Sequence, residues 1–270
     1  MSGAARLPET PAYVEREGSP LRLRAVPAVT RAFAILRLLG RSASPLPLKA
    51  IAQTLDLYPS TCLHILRALA QEKLVKIDPL KRYGLDVGML PLARAVLANS
   101  SFVTLVQPEL DRLSKQYGLN AFGVETRGLE QMVVVARSRS RVLFGLQVEV
   151  GSRFPALISA TGRCVAAFGK HAWSDIERRF RTLRWQNAPD FDTWRREVET
   201  VSRNGYSIDR GNYINGVTII AVPILDPNGM MSQGIVLLGL TEQIRNRTAI
   251  AMAKDMRTAA EMVARQMHGH

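Results

Sequence analysis

Cysteine is scarce in this chain. Cys62 and Cys164 are the two cysteines among 270 residues, and neither lies in a CxxC pattern. A disulfide framework and a zinc site built on paired cysteines are both excluded. Histidine is nearly as rare: His64 and His171 are scattered, and His268 and His270 sit on a terminal segment that reads as a frayed tail. No metal site is expected. No apolar run approaches the roughly 20 residues needed to span a bilayer. The opening stretch, MSGAARLPETPAYVEREGSP, also lacks the apolar segment of a secretory signal. The expectation is a cytoplasmic protein with no membrane partner. Common catalytic motifs are missing too: there is no GxSxG, HExxH, GxGxxG or GxxxxGK run. His171 has no nucleophile or acid assignable to it, so no catalytic residues and no cofactor are expected.

Acidic residues are outnumbered. Lys and Arg total 36 against 23 Asp and Glu, a net charge of +13. A polyanionic partner is the simplest physical reason to carry that excess. The charge is also local, since residues 21 to 82 hold eleven basic side chains and three acids, a net +8. An architectural nucleic-acid binder would account for the charge alone. It does not account for the remaining two-thirds of the chain, which is mainly apolar and patterned as mixed helix and strand. An enzyme on the same scaffold is the other competing class.

Residues 1–25 hold Pro, Gly, Glu and Arg without periodicity and read as a flexible arm. From Val26 the pattern is helical, with Val29, Ala32, Phe33, Leu36 and Leu39 expected on the buried stripe. A short second helix follows, carrying Leu48, Ile51, Ala52 and Leu55 on one face. A turn at Asp56–Pro59 then opens a third helix, where proline suits the first turn and Ser60 or Thr61 suits the cap. On this helix Cys62, Ile65, Leu66 and Leu69 fall on one side; Ser60, His64, Arg67 and Gln71 fall on the other. Two strand-like runs, Leu74–Ile77 and Arg82–Leu85, flank a turn with basic residues at its tip. That order, with its basic bias, is a winged helix-turn-helix over residues 26–87. A connector helix is expected at 88–101. Residues 102–267 alternate helices and strands joined by short turns, including strands at Val142–Val148, Val217–Leu225 and Gly234–Leu240 and a long closing helix. The fold class is α/β (α+β), with an antiparallel sheet flanked by helices.

These residues resemble the IclR family of bacterial transcription regulators from about Val26 to Arg265. The N-terminal likeness lies in the helix order, in Pro59-Ser60-Thr61, and in Asp78-Pro79 followed by Arg82-Tyr83-Gly84-Leu85. The C-terminal likeness lies in Gly151-Ser152-Arg153-Phe154-Pro155 and Ser159-Ala160-Thr161-Gly162-Arg163. It continues through Arg203-Asn204-Gly205-Tyr206-Ser207-Ile208-Asp209, Gly216-Val217 and Ala221-Val222-Pro223-Ile224. The resemblance implies a GAF-like effector-binding and oligomerisation domain, a homodimer or homotetramer, and a nucleoid-associated regulator that represses or activates a catabolic operon. Departures occur at Leu157, where the family often has histidine, at His64, often arginine, and at Asn212, often an acid.

The expected partner of the first region is a palindromic double-stranded DNA operator. Arg31, Ser60 and Thr61 suit phosphate oxygens. His64 and Arg67 share the exposed face that would meet base edges, and Lys81 and Arg82 at the wing tip suit the backbone or the minor groove. In the second region the resemblance places Gly151, Ser159, Asp209, Ile219, Val236 and Leu238 at the effector site. Members that bind small keto acids tend to carry Cys or Ser where this chain has Ile219, Val236 and Leu238. Aliphatic residues there imply an apolar or aromatic effector, because burying a carboxylate unpaired is costly.

Overall fold

The computed structural model describes residues 26–98, 100–139 and 148–268. The expected arm at 1–25 lies outside them, as does the strand expected at Val142–Val148 apart from Val148 itself. The described residues fall into two compact units, 26–98 and 100–268.

The N-terminal unit runs α1 (Pro27–Arg41), β1 (Leu46–Pro47), α2 (Leu48–Thr54), α3 (Pro59–Gln71), β2 (Val75–Ile77), β3 (Arg82–Leu85) and α4 (Met89–Ala98). The three strands form one antiparallel sheet in the order β1-β3-β2. β1 is two residues long, too short for any periodicity to announce it. Ile35, Leu36, Leu39, Ile51, Cys62, Leu66, Leu69, Val75 and Tyr83 make up the core. The expected α1 stripe holds in its second half and not in its first. Leu36 and Leu39 are buried as expected and Ile35 joins them, whereas Val29 and Phe33 are each 53% exposed. α1 is apolar around much of its circumference, so 3.6-residue spacing alone admits more than one stripe. Packing against α3 and β3 selects the Ile35–Leu39 side. The other strip, Val26, Val29 and Phe33, faces away from this core, with Arg37 lying over the Phe33 ring.

The C-terminal unit contains α5 (Ser101–Tyr117), β4 (Asn120–Arg127), β5 (Gln131–Arg137), β6 (Arg153–Pro155), α6 (Ser159–Phe168), α7 (Trp173–Phe180) and α8 (Phe191–Asn204). It closes with β7 (Ser207–Arg210), β8 (Val217–Leu225), β9 (Met231–Leu240) and α9 (Asn246–His268). One six-stranded sheet, β6-β5-β4-β9-β8-β7, is antiparallel throughout. Both faces are covered, which is why β8 is buried from Val217 to Ile224 and, Thr218 apart, apolar without alternation. On one face α5 and α9 contribute Phe102, Val106, Leu110, Met252 and Met256, packed with Ile220, Val222, Ile235 and Leu237. On the other, α6, α7 and α8 contribute Cys164, Ile176, Phe180, Trp194 and Val198 against Phe122, Ile219, Ala221, Val236 and Leu238. Phe180 anchors an aromatic group there, with ring centroids 5.0 Å from Trp194 and 5.8 Å from Trp185; Trp173 meets Phe191 edge-on at 6.3 Å.

Candidate functional sites

On α3 the exposed face carries Ser60, His64, Arg67 and Gln71, as its sequence spacing requires, while Cys62, Leu66 and Leu69 are buried. The helix start differs from expectation. Tyr58 is the N-cap, Pro59 occupies the first helical position, and no side chain caps the end. Ser60 and Thr61 therefore belong to the first turn and do not serve as the cap. The first inward amide bond is that of Cys62 to the Tyr58 carbonyl, at 3.0 Å. This leaves the Ser60 and Thr61 amides directed out of the helix end, where an anion finds both N–H donors and the positive end of the helix dipole. Arg31 on α1 is exposed, but its first turn holds no acid or cap.

In the wing the two basic residues are held differently. Asp78 accepts the Arg82 backbone N–H at 2.9 Å through Oδ1 and the Arg82 Nε–H at 2.7 Å through Oδ2. These bonds hold the Asp78 carboxyl below the usual carboxylate range. Arg82 is thus half-buried in a clamp that closes the turn, and Lys81 is the exposed cation at the tip. Lys81 adopts φ 58°, and its backbone N–H donates to the Asp78 carbonyl at 2.9 Å. The sequence offers a cue to this clamp, an acid four residues before an arginine around a tight turn.

The C-terminal unit holds a half-open cavity of about 510 Å³, counting the solvent space at its mouth. Phe122, Val124, Val134, Ile219, Val236 and Leu238 form its sheet wall; Met132, Val148, Phe154 and Ile214 add apolar surface. Its polar contribution comes from Ser159, Thr161 and Tyr213, and none of the described lining residues is charged. Strand register explains the wall: Phe122 pairs with Val236 and Ile219 with Leu238, so their side chains share one face. The start of α6 is brought close by Gly162, where a Cβ would lie 2.0 Å from the Leu157 carbonyl carbon and oxygen. Only glycine permits that approach. Ser159, buried at the first position of α6, is held at φ 59°, a conformation a non-glycine residue adopts only under constraint.

Of the six residues expected at the effector site, Ser159, Ile219, Val236 and Leu238 line this cavity; Gly151 and Asp209 do not. Gly151 shapes a turn at φ 92° and donates its N–H to the Val134 carbonyl at 2.7 Å. Asp209, 1% exposed, belongs to a buried polar network around Arg163, itself 2% exposed. Arg163 Nε donates to Glu197 at 2.6 Å, Nη2 to Asn212 at 2.9 Å, and Nη1 to the Ser159 carbonyl at 3.2 Å. The carboxylate of Asp209 lies 3.7 Å from Nη1 and accepts the Asn212 N–H at 2.8 Å. Burial pushes the Asp209 carboxyl up, and the neighbouring Arg163 opposes the rise. The guanidinium thus fixes the carbonyl of a strained residue that forms part of the cavity wall. Tyr213, Phe122 and Thr161 were not anticipated as lining residues. Phe122 was accessible through its cross-strand pairing with Val236 and Thr161 through its place two residues after Ser159 on α6, whereas Tyr213 sits on a loop that no periodicity places.

Residues 94–265 match the family described as "Bacterial transcriptional regulator IclR C-terminal", and residues 28–79 match the "IclR helix-turn-helix domain". The chain belongs to the IclR family. Its N-terminal unit is therefore the DNA-binding domain of a transcriptional regulator and its C-terminal unit the family's effector-binding domain; these are not enzymes. Among relatives, the glycerol operon regulatory protein of Streptomyces griseus is 27% identical over 250 residues, covering 90% of this chain and 97% of that protein. Among solved structures, an IclR transcriptional regulator from Alicyclobacillus acidocaldarius is 26% identical with a TM-score of 0.78, covering 89% of this chain and 98% of its own. An IclR homologue from Microbacterium hydrocarbonoxydans, solved with 4-hydroxybenzoate, shares the fold at 16% identity and a TM-score of 0.73, covering 88% and 99%. No described helix is long and apolar enough to cross a membrane.

Proposed function

We propose that this IclR-family chain is a cytoplasmic, nucleoid-associated regulator of a catabolic operon whose effector is an apolar or aromatic compound. The observation that carries this reading is the cavity itself, apolar on its sheet wall and polar only at Ser159, Thr161 and Tyr213. A short keto acid would leave most of that apolar surface in contact with water. An aromatic acid fills the volume and directs its charged end toward the α6 amides and hydroxyls. The complex of the Microbacterium hydrocarbonoxydans homologue with 4-hydroxybenzoate supports the same ligand class. Asp209 does not oppose an anionic effector, since it is absent from the lining and lies beside Arg163. A thermal-shift comparison of benzoate and 4-hydroxybenzoate with pyruvate and glyoxylate tests the reading. Aromatic acids should raise the melting temperature more; stabilisation by the short acids alone would overturn it.

The DNA reading extends to a palindromic operator bound by a homodimer or homotetramer. One recognition helix reads only a few base pairs, so specific affinity calls for two half-sites. The exposed Val26 just before α1 and Val29 and Phe33 on it, with Leu90 and Leu92 of α4, supply apolar surface for a second copy. Ser60, Thr61 and Arg31 anchor phosphates, and His64 and Arg67 read base edges. Sedimentation should show at least a dimer at micromolar concentration. A strict monomer with and without DNA would sink this part.

A further inference from the structure

The tip of the wing presents apolar surface as well as charge. Leu80 is 70% exposed and Ile77 50% exposed, and Pro79 between them is exposed too. None of the three belongs to the core of the N-terminal unit, where Val75 and Tyr83 represent the hairpin. A single exposed leucine is unremarkable on a protein surface. Three exposed apolar residues within four positions of a closed turn are a different matter, because this turn cannot fold them inward. Asp78 locks it through two bonds to Arg82, the Lys81 amide closes on the Asp78 carbonyl, and the Asp78 amide donates to the Arg82 carbonyl at 2.9 Å. The clamp ties Arg82 to Asp78, although the arginine side chain stays 40% exposed. Standing out from the turn is an apolar point flanked by the exposed Lys76 and Lys81.

We infer that Leu80 is a wedge that enters the minor groove beside the major-groove contact of α3, with Lys76 and Lys81 on the flanking phosphates. Apolar side chains of this kind separate base steps and bend the duplex, and the lysines supply the charge complementarity that brings the tip to a polyanion. A protein partner would have no evident use for lysines on both sides of the point, whereas the two phosphate backbones bordering a groove do. Recognition then includes the deformability of the flanking sequence, and flexible pyrimidine–purine steps are favoured at the wedge. This inference rests on the DNA-binding role of the N-terminal unit.

The test uses full-length protein and a duplex that the wild type enriches from a randomised pool, labelled at both ends for energy transfer. L80S should bind this duplex about tenfold more weakly, bend it less, and lose discrimination when the flanking pyrimidine–purine step is replaced. L80M, which keeps an apolar tip, should retain wild-type affinity and bending, and all three proteins should melt at the same temperature. Equal affinity and bending for L80S and wild type would overturn the wedge while leaving the DNA-binding role intact. If L80S instead lowered the sedimentation coefficient of the free protein and left DNA bending unchanged, the tip would be a protein contact and the wedge would be wrong. Wild-type protein that enriches no duplex would overturn the DNA-binding role, and the wedge with it.

Discussion

In the N-terminal unit the residues assigned to the partner, Ser60, His64, Arg67 and Lys81, stand at the surface of a domain whose core is one apolar cluster. In the C-terminal unit the residues around the candidate pocket are packed between a sheet and three helices, beside a buried arginine paired with one buried and one half-exposed carboxylate. The first arrangement separates binding from stability, because an exposed side chain is removed without leaving a hole or an unpaired charge. The second joins them. Whatever holds Ser159 in place also holds α6, α8 and β7 together, so the pocket and the fold of its unit share the same residues.

The strongest way to break this comparison is Arg163→Met. Removing the guanidinium leaves Asp209 and Glu197 without their shared partner, and the C-terminal unit should lose about 3–5 kcal/mol. Asp209 sets the sign of the pH dependence. Its carboxyl is already raised in the fold, so its contribution to stability is complete below the usual carboxylate value and is lost as pH rises through the raised one. The deficit of the variant should therefore shrink as pH falls from 7 toward about 4. Denaturant melts at several pH values measure this; a near-neutral substitution at every pH would show that the network carries no such weight.

Arg67→Ala examines the exposed side of the comparison. It should cost about 1–3 kcal/mol on the preferred operator and little on random DNA, with the melting temperature unchanged. A titration in which both DNAs weaken equally would remove Arg67 from base reading. Val236→Ser returns to the pocket wall. It should weaken an apolar effector by about 1–3 kcal/mol, the cost of an unpaired hydroxyl, and calorimetry should detect no such loss if the wall is ordinary core. The smallest effect belongs to the wing. Lys81→Ala should reduce the salt slope of binding by about one unit, whereas Arg82→Ala acts mainly by releasing Asp78. Equal slopes for the two variants would mean that the clamp opens on DNA.

Spacing alone placed most of the exposed site. At 100° per residue, Ser60, His64 and Arg67 had to fall opposite Cys62, Leu66 and Leu69, and the structure keeps them so. The same rule held on α1 for Leu36 and Leu39 but misplaced Val29 and Phe33, because that helix carries apolar side chains on more than one face and only packing decides between them. In the C-terminal unit the strands were legible, but the cavity was legible only in part. Ile219, Val236 and Leu238 sit on strands with fixed alternation, while Tyr213 sits on a loop, and Asp209, though on β7, belongs to the Arg163 network and not to the cavity. Arg163 was written in a motif, yet nothing local distinguishes a surface arginine from one that is 2% exposed.

The aromatic group around Phe180 has an optical consequence. All three tryptophans of the chain, Trp173, Trp185 and Trp194, lie in the helical layer opposite α5 and α9, and the DNA-binding unit has none. Intrinsic fluorescence excited at the indole band therefore reports on the effector-side unit alone, without a label. Circular dichroism in the far ultraviolet sums the helices of both. If the two units unfold independently, the two signals will trace different melting curves, and subtracting one from the other isolates the domain that contains no indole.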